Sequence, residues 1–423
     1  MTKDAAHRAI EAVFRIESAK IIAGVARMVR DLGLAEELAQ DALVAALETW
    51  PGDGVPDNPG AWLMTTAKNR ALDRLRQRKL HAEREDELTR EIGGQLAAAM
   101  PAVDATLSDD IGDDLLRLVF TACHPVLSTD ARVALTLKLL GGLTTDEIAR
   151  AFLVPEATIA QRIVRAKRTL AEARVPFEVP GAAQRAQRLS SVLEVIYLIF
   201  NEGYSATSGE HWMRPTLCED ALRLGRILAE LAPDEPEVHG LVALMEIQAS
   251  RLAARIGPGG EPILLMDQNR ARWDQLLIRR GLAALLRSET SGGALGPYAL
   301  QAAIAACHAR ALAAADTDWA RIAALYDALA ALMPSPVVEL NRAVAVAMAF
   351  GPKAGLGIVD ALVADKSLED YHLLPSVRGN LLGRLGRDDE ACVEFKRAAG
   401  LARNERERTL LLGRAAACAA KHV

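Results

Sequence analysis

Gln161, Arg165 and Arg168, flanked by Thr158 and Arg162, fall on one side of a helix-like run within TTDEIARAFLVPEATIAQRIVRAKRTL, Thr144 to Leu170. Hydroxyl, amide and guanidinium groups so placed can meet bases and phosphates in a major groove. The inward side of the same run holds Ile159, Ile163, Ala166 and Leu170 at helical spacing. A solvated basic helix in a bundle would carry the same pattern, so this run alone leaves both readings open. A second set lies upstream in NPGAWLMTTAKNRALDRLRQRK, where Trp62, Thr66, Asn69, Asp73 and Arg76 stand roughly opposite the stripe Met64, Ala67, Ala71 and Leu75. An aromatic ring beside amide and guanidinium groups suits unstacked bases and their backbone. Packing of Trp62 under the preceding Pro/Gly turn, with solvated arginines, accounts for that face as well.

These groups need helices to hold them. Thr144 and Glu147 fit a capping box, and Gly141-Gly142 closes the helix before it. Ile148, Phe152, Val154 and Ile159 supply an apolar corner around the small Ala149, with Val154-Pro155-Glu156 as the turn: a helix-turn-helix. Asn58 and Pro59 cap and open a helix that runs to about Leu80. Before it, Ala39, Leu43, Ala46, Leu47 and Trp50 recur as one buried stripe. Residues 81–112 carry dense charge, then GG and the acidic SDDIGDD, and read as a partly helical, flexible linker. Beyond Pro180, helix-Pro-helix units recur, as in RILAELAPDEPEVHGLVALM and LYDALAALMPSPVVELNRAVAVAM. In VRGNLLGRLGRDDEACVEFKRAA, the residues Gly379, Gly386, Ala391, Phe395 and Ala398 sit where a tetratricopeptide repeat places its small and aromatic packing groups.

The bulk properties agree with such a chain. At 423 residues it exceeds one core, and its wealth of Ala, Leu and Arg leans towards an all-α fold. Five cysteines, scattered and never in a C-x-x-C arrangement, read as buried thiols of a reducing compartment, with no metal site and no cofactor indicated. No membrane segment or leader stands out, so a cytoplasmic location is expected. The net charge of -5 is a poor guide to nucleic-acid binding, because Lys68 to Lys79 and Arg162 to Arg174 are both locally basic. Catalysis is not expected. Cys123-His124 and Cys307-His308 are neighbours that point about 100° apart on a helix, so a core thiol and a satisfied histidine account for each pair. No phosphate loop or hydrolase elbow is present.

GLAEELAQDALVAALETW, then NPGAWLMTTAKNRALDRLRQRK, then the helix-turn-helix, resembles regions 2 and 4 of an extracytoplasmic-function sigma factor of the sigma-70 family. FTACHPVLSTDARVALTLKLLGGL, FNEGYSATSG and GPYALQAAIAACHA are similar to the subgroup, labelled ECF42, with a long tetratricopeptide-like extension. The resemblance spans essentially the whole chain. It implies an all-α protein with a region 2 helical bundle over 1–80, the flexible acidic linker over 81–112, region 4 over 113–178 and the helical repeat extension over 181–423. The implied partners are core RNA polymerase, through its β′ clamp helices and β flap, and promoter DNA. Leu34 to Trp50 would dock on the clamp with Glu37, Gln40 and Asp41. Trp62, Asn69, Asp73 and Arg76 would hold a flipped base of the -10 element, with Lys68, Arg70 and Arg74 on phosphates. Thr158, Gln161, Arg162, Arg165 and Arg168 would read the -35 element. Leu153 departs from the family's usual Gly in the turn, and the acidic linker would mimic nucleic acid in the polymerase channel.

Residues 181–423 exceed what a sigma factor needs. A stabilising scaffold and a built-in regulator are both open, the second favoured because repeat surfaces are concave and suit a protein, peptide or small-molecule ligand. FNEGYS, EHWMRP, LLMDQNRARWDQ and TDWARIAALYD break the Ala/Leu pattern and would line such a groove, grip the sigma regions, or pack as core. A ligand-sensing helix-turn-helix regulator without sigma activity is the alternative reading; it leaves Leu34 to Lys79 unused.

Overall fold

The computed structural model describes residues 3–90, 111–152, 154–205, 213–259, 261–292, 294–366, 368–402 and 404–419. Among them no β-strand forms, and one isolated bridge joins Ile256 to Pro262. The chain is all-α, in two compact units, Met1–Val195 and Ile196–Val423.

In the first unit, α1 (Lys3–Val29), α2 (Leu32–Asp53) and α3 (Pro59–Arg90) pack on one another. Asp31 caps α2 by accepting from the Leu34 backbone N–H at 3.0 Å, and Asn58 accepts from Ala61 N–H at 3.0 Å at the start of α3. Ile21, Val25, Ala39, Ala42, Leu63, Ala67 and Ala71 fill the core. The expected α2 stripe is shifted: Ala39, Ala46 and Trp50 are buried, but Leu43 and Leu47 are half-buried, and Leu38 and Ala42 take their place. The helix expected to stop at Leu80 continues to Arg90. Glu, Lys and Arg are good helix formers even without an apolar stripe, so dense charge does not end a helix. The remainder of the expected linker, 91–110, lies outside the described residues.

Four helices follow: α4 (Ile111–Ala122), α5 (Thr129–Leu139), α6 (Thr145–Phe152) and α7 (Glu156–Glu172). They do not form a separate body, since α4 packs on α1 within the same unit. Helix α8 (Ala182–Tyr204) contributes its first half to this unit. There Arg188 donates to the Phe120 carbonyl at 2.7 Å, Ser191 to the Cys123 carbonyl at 2.8 Å, and Arg132 pairs with Glu194 at 3.0 Å.

The second unit stacks helices on their neighbours in chain order: α9 (Pro215–Leu231), α10 (Pro236–Ala249), α11 (Gln275–Thr290), α12 (Pro297–Arg310), α13 (Trp319–Leu332), α14 (Pro336–Phe350), α15 (Pro352–Asp365), α16 (Leu373–Arg384), α17 (Asp388–Leu401) and α18 (Glu405–Ala419). Proline opens α9, α10, α12, α14 and α15, where its missing N–H costs nothing. Close helix approach rests on small residues. A Cβ on Gly355 would come within 2.5 Å of the Ala343 carbonyl, and one on Gly379 within 3.2 Å of the Phe395 ring. Glu237 caps α12 from outside by accepting from Tyr298 and Ala299 N–H at 2.8 and 3.1 Å. Burial nonetheless raises the pKa of that carboxyl, with the two hydrogen bonds opposing the rise.

Candidate nucleic-acid interface

The helix-turn-helix is built by local hydrogen bonds. Thr144 N–H donates to Glu147 Oε2 at 2.8 Å, and Glu147 N–H donates to Thr144 Oγ1 at 3.1 Å, the reciprocal pair of a capping box. Gly142 adopts φ 69°, and Leu143 N–H returns to the Leu137 carbonyl at 3.1 Å, which ends α5. Ile148 and Ala149 are buried where α6 meets α7. Leu153 lies outside the described residues; Val154 N–H reaches the Ala149 carbonyl at 3.1 Å, and Thr158 N–H the Pro155 carbonyl at 2.9 Å.

Along α7, Ile159, Ile163, Ala166 and Leu170 are buried, which turns Thr158, Gln161, Arg165 and Arg168 to solvent. Arg162 is half-buried, its Nη2 3.2 Å from Asp130 Oδ2 at the start of α5. Arg168 Nε lies 3.3 Å from Glu172. Thr158, Gln161, Arg162 and Arg165 line one cleft of about 420 Å³ with Ser128 and Asp130. Four of the five residues expected to read DNA therefore share one concave face, and Arg168 sits exposed further along the helix.

On α3, Asn69, Asp73, Arg74 and Arg76 are exposed, and Lys68 and Arg70 are half-buried. Arg76 pairs with Asp73 at 3.2 Å. Trp62 is half-buried: its ring meets Trp50 of α2 edge-on, centroids 5.3 Å apart and planes at 70°. It is thus a packing partner of α2 as well as a member of this face. On α2, Glu37 and Gln40 are exposed and Asp41 is half-buried, 3.7 Å from Arg70 Nη1. The aspartate expected to meet polymerase and an arginine expected to meet DNA phosphate hold each other in this state.

One buried centre of ion pairs escaped the sequence reading. Glu36 is 6% exposed, and its carboxylate accepts from Lys167 of α7, lies 3.7 Å from Lys138 of α5, and accepts from Gln40 at 3.2 Å. Arg27 of α1 pairs with Asp114 of α4 at 3.2 Å. Lys167 is 131 positions from Glu36, so no local pattern could have announced the contact.

The Cys-His neighbours form no dyad. Cys123 Sγ faces Thr136 Oγ1 at 3.3 Å, and burial pushes its thiol up to about 11. His124 Nδ1 accepts from Val126 N–H at 3.1 Å, and burial and Arg188 lower its pKa. Cys307 packs in an apolar cluster with Ile322 and Leu329, whereas the His308 ring makes a T-shaped pair with Trp319, centroids 5.1 Å apart. The expectation that His308 is satisfied needs correction, because its Nδ1 is buried without a hydrogen-bond partner. All five thiols are free. Among the described residues no group of three or more His, Cys, Asp or Glu could hold a metal ion, and no helix is long and apolar enough to cross a membrane.

Comparison with known proteins bears on these faces. Residues 14–81 match the family described as Sigma-70 region 2, residues 117–170 match Sigma-70, region 4, and residues 188–289 match a family of unknown function, DUF6596. An uncharacterized protein of Rhizobium meliloti (strain 1021) is 44% identical over 386 residues, 90% of this chain and 89% of that one. The ECF RNA polymerase sigma factor SigK of Mycobacterium ulcerans is 32% identical over 152 residues, 34% of this chain and 75% of the relative. The probable ECF RNA polymerase sigma factor SigI of Mycobacterium tuberculosis is 28% identical over 181 residues, 42% of this chain and 60% of the relative. A crystal structure of the yeast Tom70 matches 93% of this chain and 82% of its own at 10% identity, with a TM-score of 0.32. The α3 and α7 faces thus fall within two sigma-70 regions in their proper order, and the chain belongs to the ECF RNA polymerase sigma factor family.

Proposed function

We propose that the chain binds core RNA polymerase through Glu37, Gln40 and Asp41 of α2, opens the -10 element with α3, and reads the -35 element with α7. The second unit modulates that activity, and the protein acts in the cytoplasm, where polymerase is. The observation that carries the reading is the two-sided α7. Its apolar stripe is buried to within a few per cent, which commits Thr158, Gln161, Arg165 and Arg168 to the outside. On α3, Asn69, Asp73 and Arg76 receive an unstacked base beside Trp62, while Lys68, Arg70 and Arg74 hold the backbone.

The test is reconstitution of purified protein with core polymerase and a set of promoter fragments, read as specific run-off transcripts. Initiation is expected. DNA binding without any transcript would instead make the chain a sigma-independent regulator. Arg165→Ala should weaken selection of the upstream element by roughly 1–3 kcal/mol without loss of fold. Trp62→Ala should impair strand opening more than closed binding, and equal loss of both would withdraw Trp62 from base capture. A chain of residues 1–195, the limits of the first unit, separates the roles of the second: a gain in transcripts means inhibition, a loss means support.

A further inference from the structure

The second unit contains a cavity that promoter recognition does not use. It encloses about 240 Å³, and its wall includes Tyr197, Asn201, Tyr204, Arg251, His308 and Tyr326. Three of the runs that break the Ala/Leu pattern meet here: Phe200, Asn201 and Tyr204 from FNEGYS, Leu265 from LLMDQ, and Tyr326 from TDWARIAALYD. Gln248 and Gln301 add two amides.

The charge of this wall is unusual for the unit. Arg226 meets Glu246 at 2.9 Å, and Arg378 meets Asp360 at 2.9 Å and Glu394 at 2.6 Å. Arg251 differs: its Nη2 donates to the Tyr204 hydroxyl and to Gln248 Oε1 at 2.7 Å, and its Nε is buried without a partner. Arg270 donates to the carbonyls of His308 and Ala311 at 2.6 and 2.7 Å and to Thr317 Oγ1 at 3.0 Å. Among the described residues neither arginine has a carboxylate within ion-pair distance. Both guanidinium groups lie against Trp273, at 5.7 and 5.0 Å from its ring centre. His308 is 7% exposed with Nδ1 unpartnered, and burial with the two arginines pushes its pKa down to about 4. A half-desolvated cation beside a neutral imidazole and neutral hydroxyl and amide groups lacks a counter-charge.

We propose that this cavity binds a small monoanionic organic acid carrying one ring. Its carboxylate meets Arg251 and the Tyr204 and Gln248 side chains, and its ring packs among Tyr197, Phe200, Ile304 and Tyr326. The volume lies just below the range of roughly 300–1,000 Å³ that holds drug-sized ligands, which fits a single-ring compound and not a nucleotide or peptide. Only Arg251 among the nearby arginines lines the cavity, since Arg255 and Arg270 donate to the carbonyls of Tyr204, His308 and Ala311, so the cavity offers one guanidinium to one negative charge, whereas a phosphate dianion is commonly clamped by several cations.

Calorimetric titration of the full-length protein tests this, with benzoate, benzamide, benzamidine and inorganic phosphate as probes. Benzoate should bind at least about tenfold more tightly than benzamide, as expected for a charge-assisted pair, and benzamidine should not bind. Arg251→Met should weaken benzoate by a similar factor, and Ala305→Leu, which fills the cavity and keeps the charge, should abolish it. No benzoate binding, parity with benzamide, tighter binding of phosphate, or unchanged affinity in Arg251→Met overturns the proposal. If Arg251→Met does not fold, the ranking of the four probes on the unaltered chain decides. Neither polymerase nor DNA is in the cell, so failure here is distinct from failure of sigma activity.

Discussion

Glu36 shows how much a single side chain can carry. Two ammonium groups from α5 and α7 and the Gln40 amide converge on one carboxylate that solvent hardly reaches. Truncation to Ala leaves two cations without their anion in a partly desolvated site. Glu36→Ala should therefore cost roughly 2–4 kcal/mol of stability in the first unit, measured by urea unfolding of residues 1–195. Glu37→Ala, one position away and exposed, should stay within about 0.5 kcal/mol. Equal effects would contradict the structure. The outward orientation of Gln161, Arg165 and Arg168 was legible beforehand because a 3.6-residue period sorts neighbours into buried and solvated. The role of Glu36 was not, because its partners lie far along the chain. Trp62 falls between these cases: its face was legible, but its Trp50 neighbour belongs to another helix.

At the scale of helices, signals that act within a few residues came through and those that depend on packing did not. The Thr144/Glu147 box, the Asn58 cap and the prolines that open α10 and α14 were all readable as local chemistry. The continuation of α3 to Arg90 was missed because a run of charged residues shows no apolar period. The contacts of the first half of α8 were not readable, because Arg188 and Ser191 find their carbonyls 68 positions upstream. Helix crossings make a sharper forecast. Gly355 sits where α15 meets α14, and an added Cβ would lie 2.5 Å from both the Ala343 oxygen and the Ala347 Cβ. Gly357, two positions on in the same helix, is exposed and has nothing within 4 Å. Gly355→Ala should destabilise by about 1–3 kcal/mol, while Gly357→Ala should be neutral or stabilise by up to about 1 kcal/mol through helix propensity. Thermal unfolding of the two variants side by side reads the contrast, and matching melting temperatures would mean that α14 and α15 do not cross as closely as described.

For the molecule as a whole, the acidic total of -5 coexists with basic faces because charge is segregated by helix face. The convergence of three polar-aromatic runs on one cavity belongs to this scale too. Each run was visible in sequence as a break in pattern, yet Gln248, Arg251 and Gln301 were not, since only folding brings them to the same wall. The basic faces also carry their own carboxylates. Of the seven cations assigned to DNA (Lys68, Arg70, Arg74, Arg76, Arg162, Arg165 and Arg168), four, namely Arg70, Arg76, Arg162 and Arg168, already face Asp41, Asp73, Asp130 and Glu172 at 3.2–3.7 Å. Such surface pairs are weak, about 0–1 kcal/mol each, but salt weakens them as well as the contacts with phosphate. Duplex DNA that takes over an arginine releases its condensed cations and also frees a carboxylate, so the two salt responses oppose each other. Binding to a duplex should then fall with ionic strength less steeply than the log–log slope of about 0.9 per phosphate contact. Asp130→Asn should bind more tightly at low salt and show a steeper slope, and parallel lines for the two proteins would rule this out. On the proposed reading these aspartates and the glutamate would act as resident counterions, holding promoter affinity more constant as the ionic strength of the cell changes.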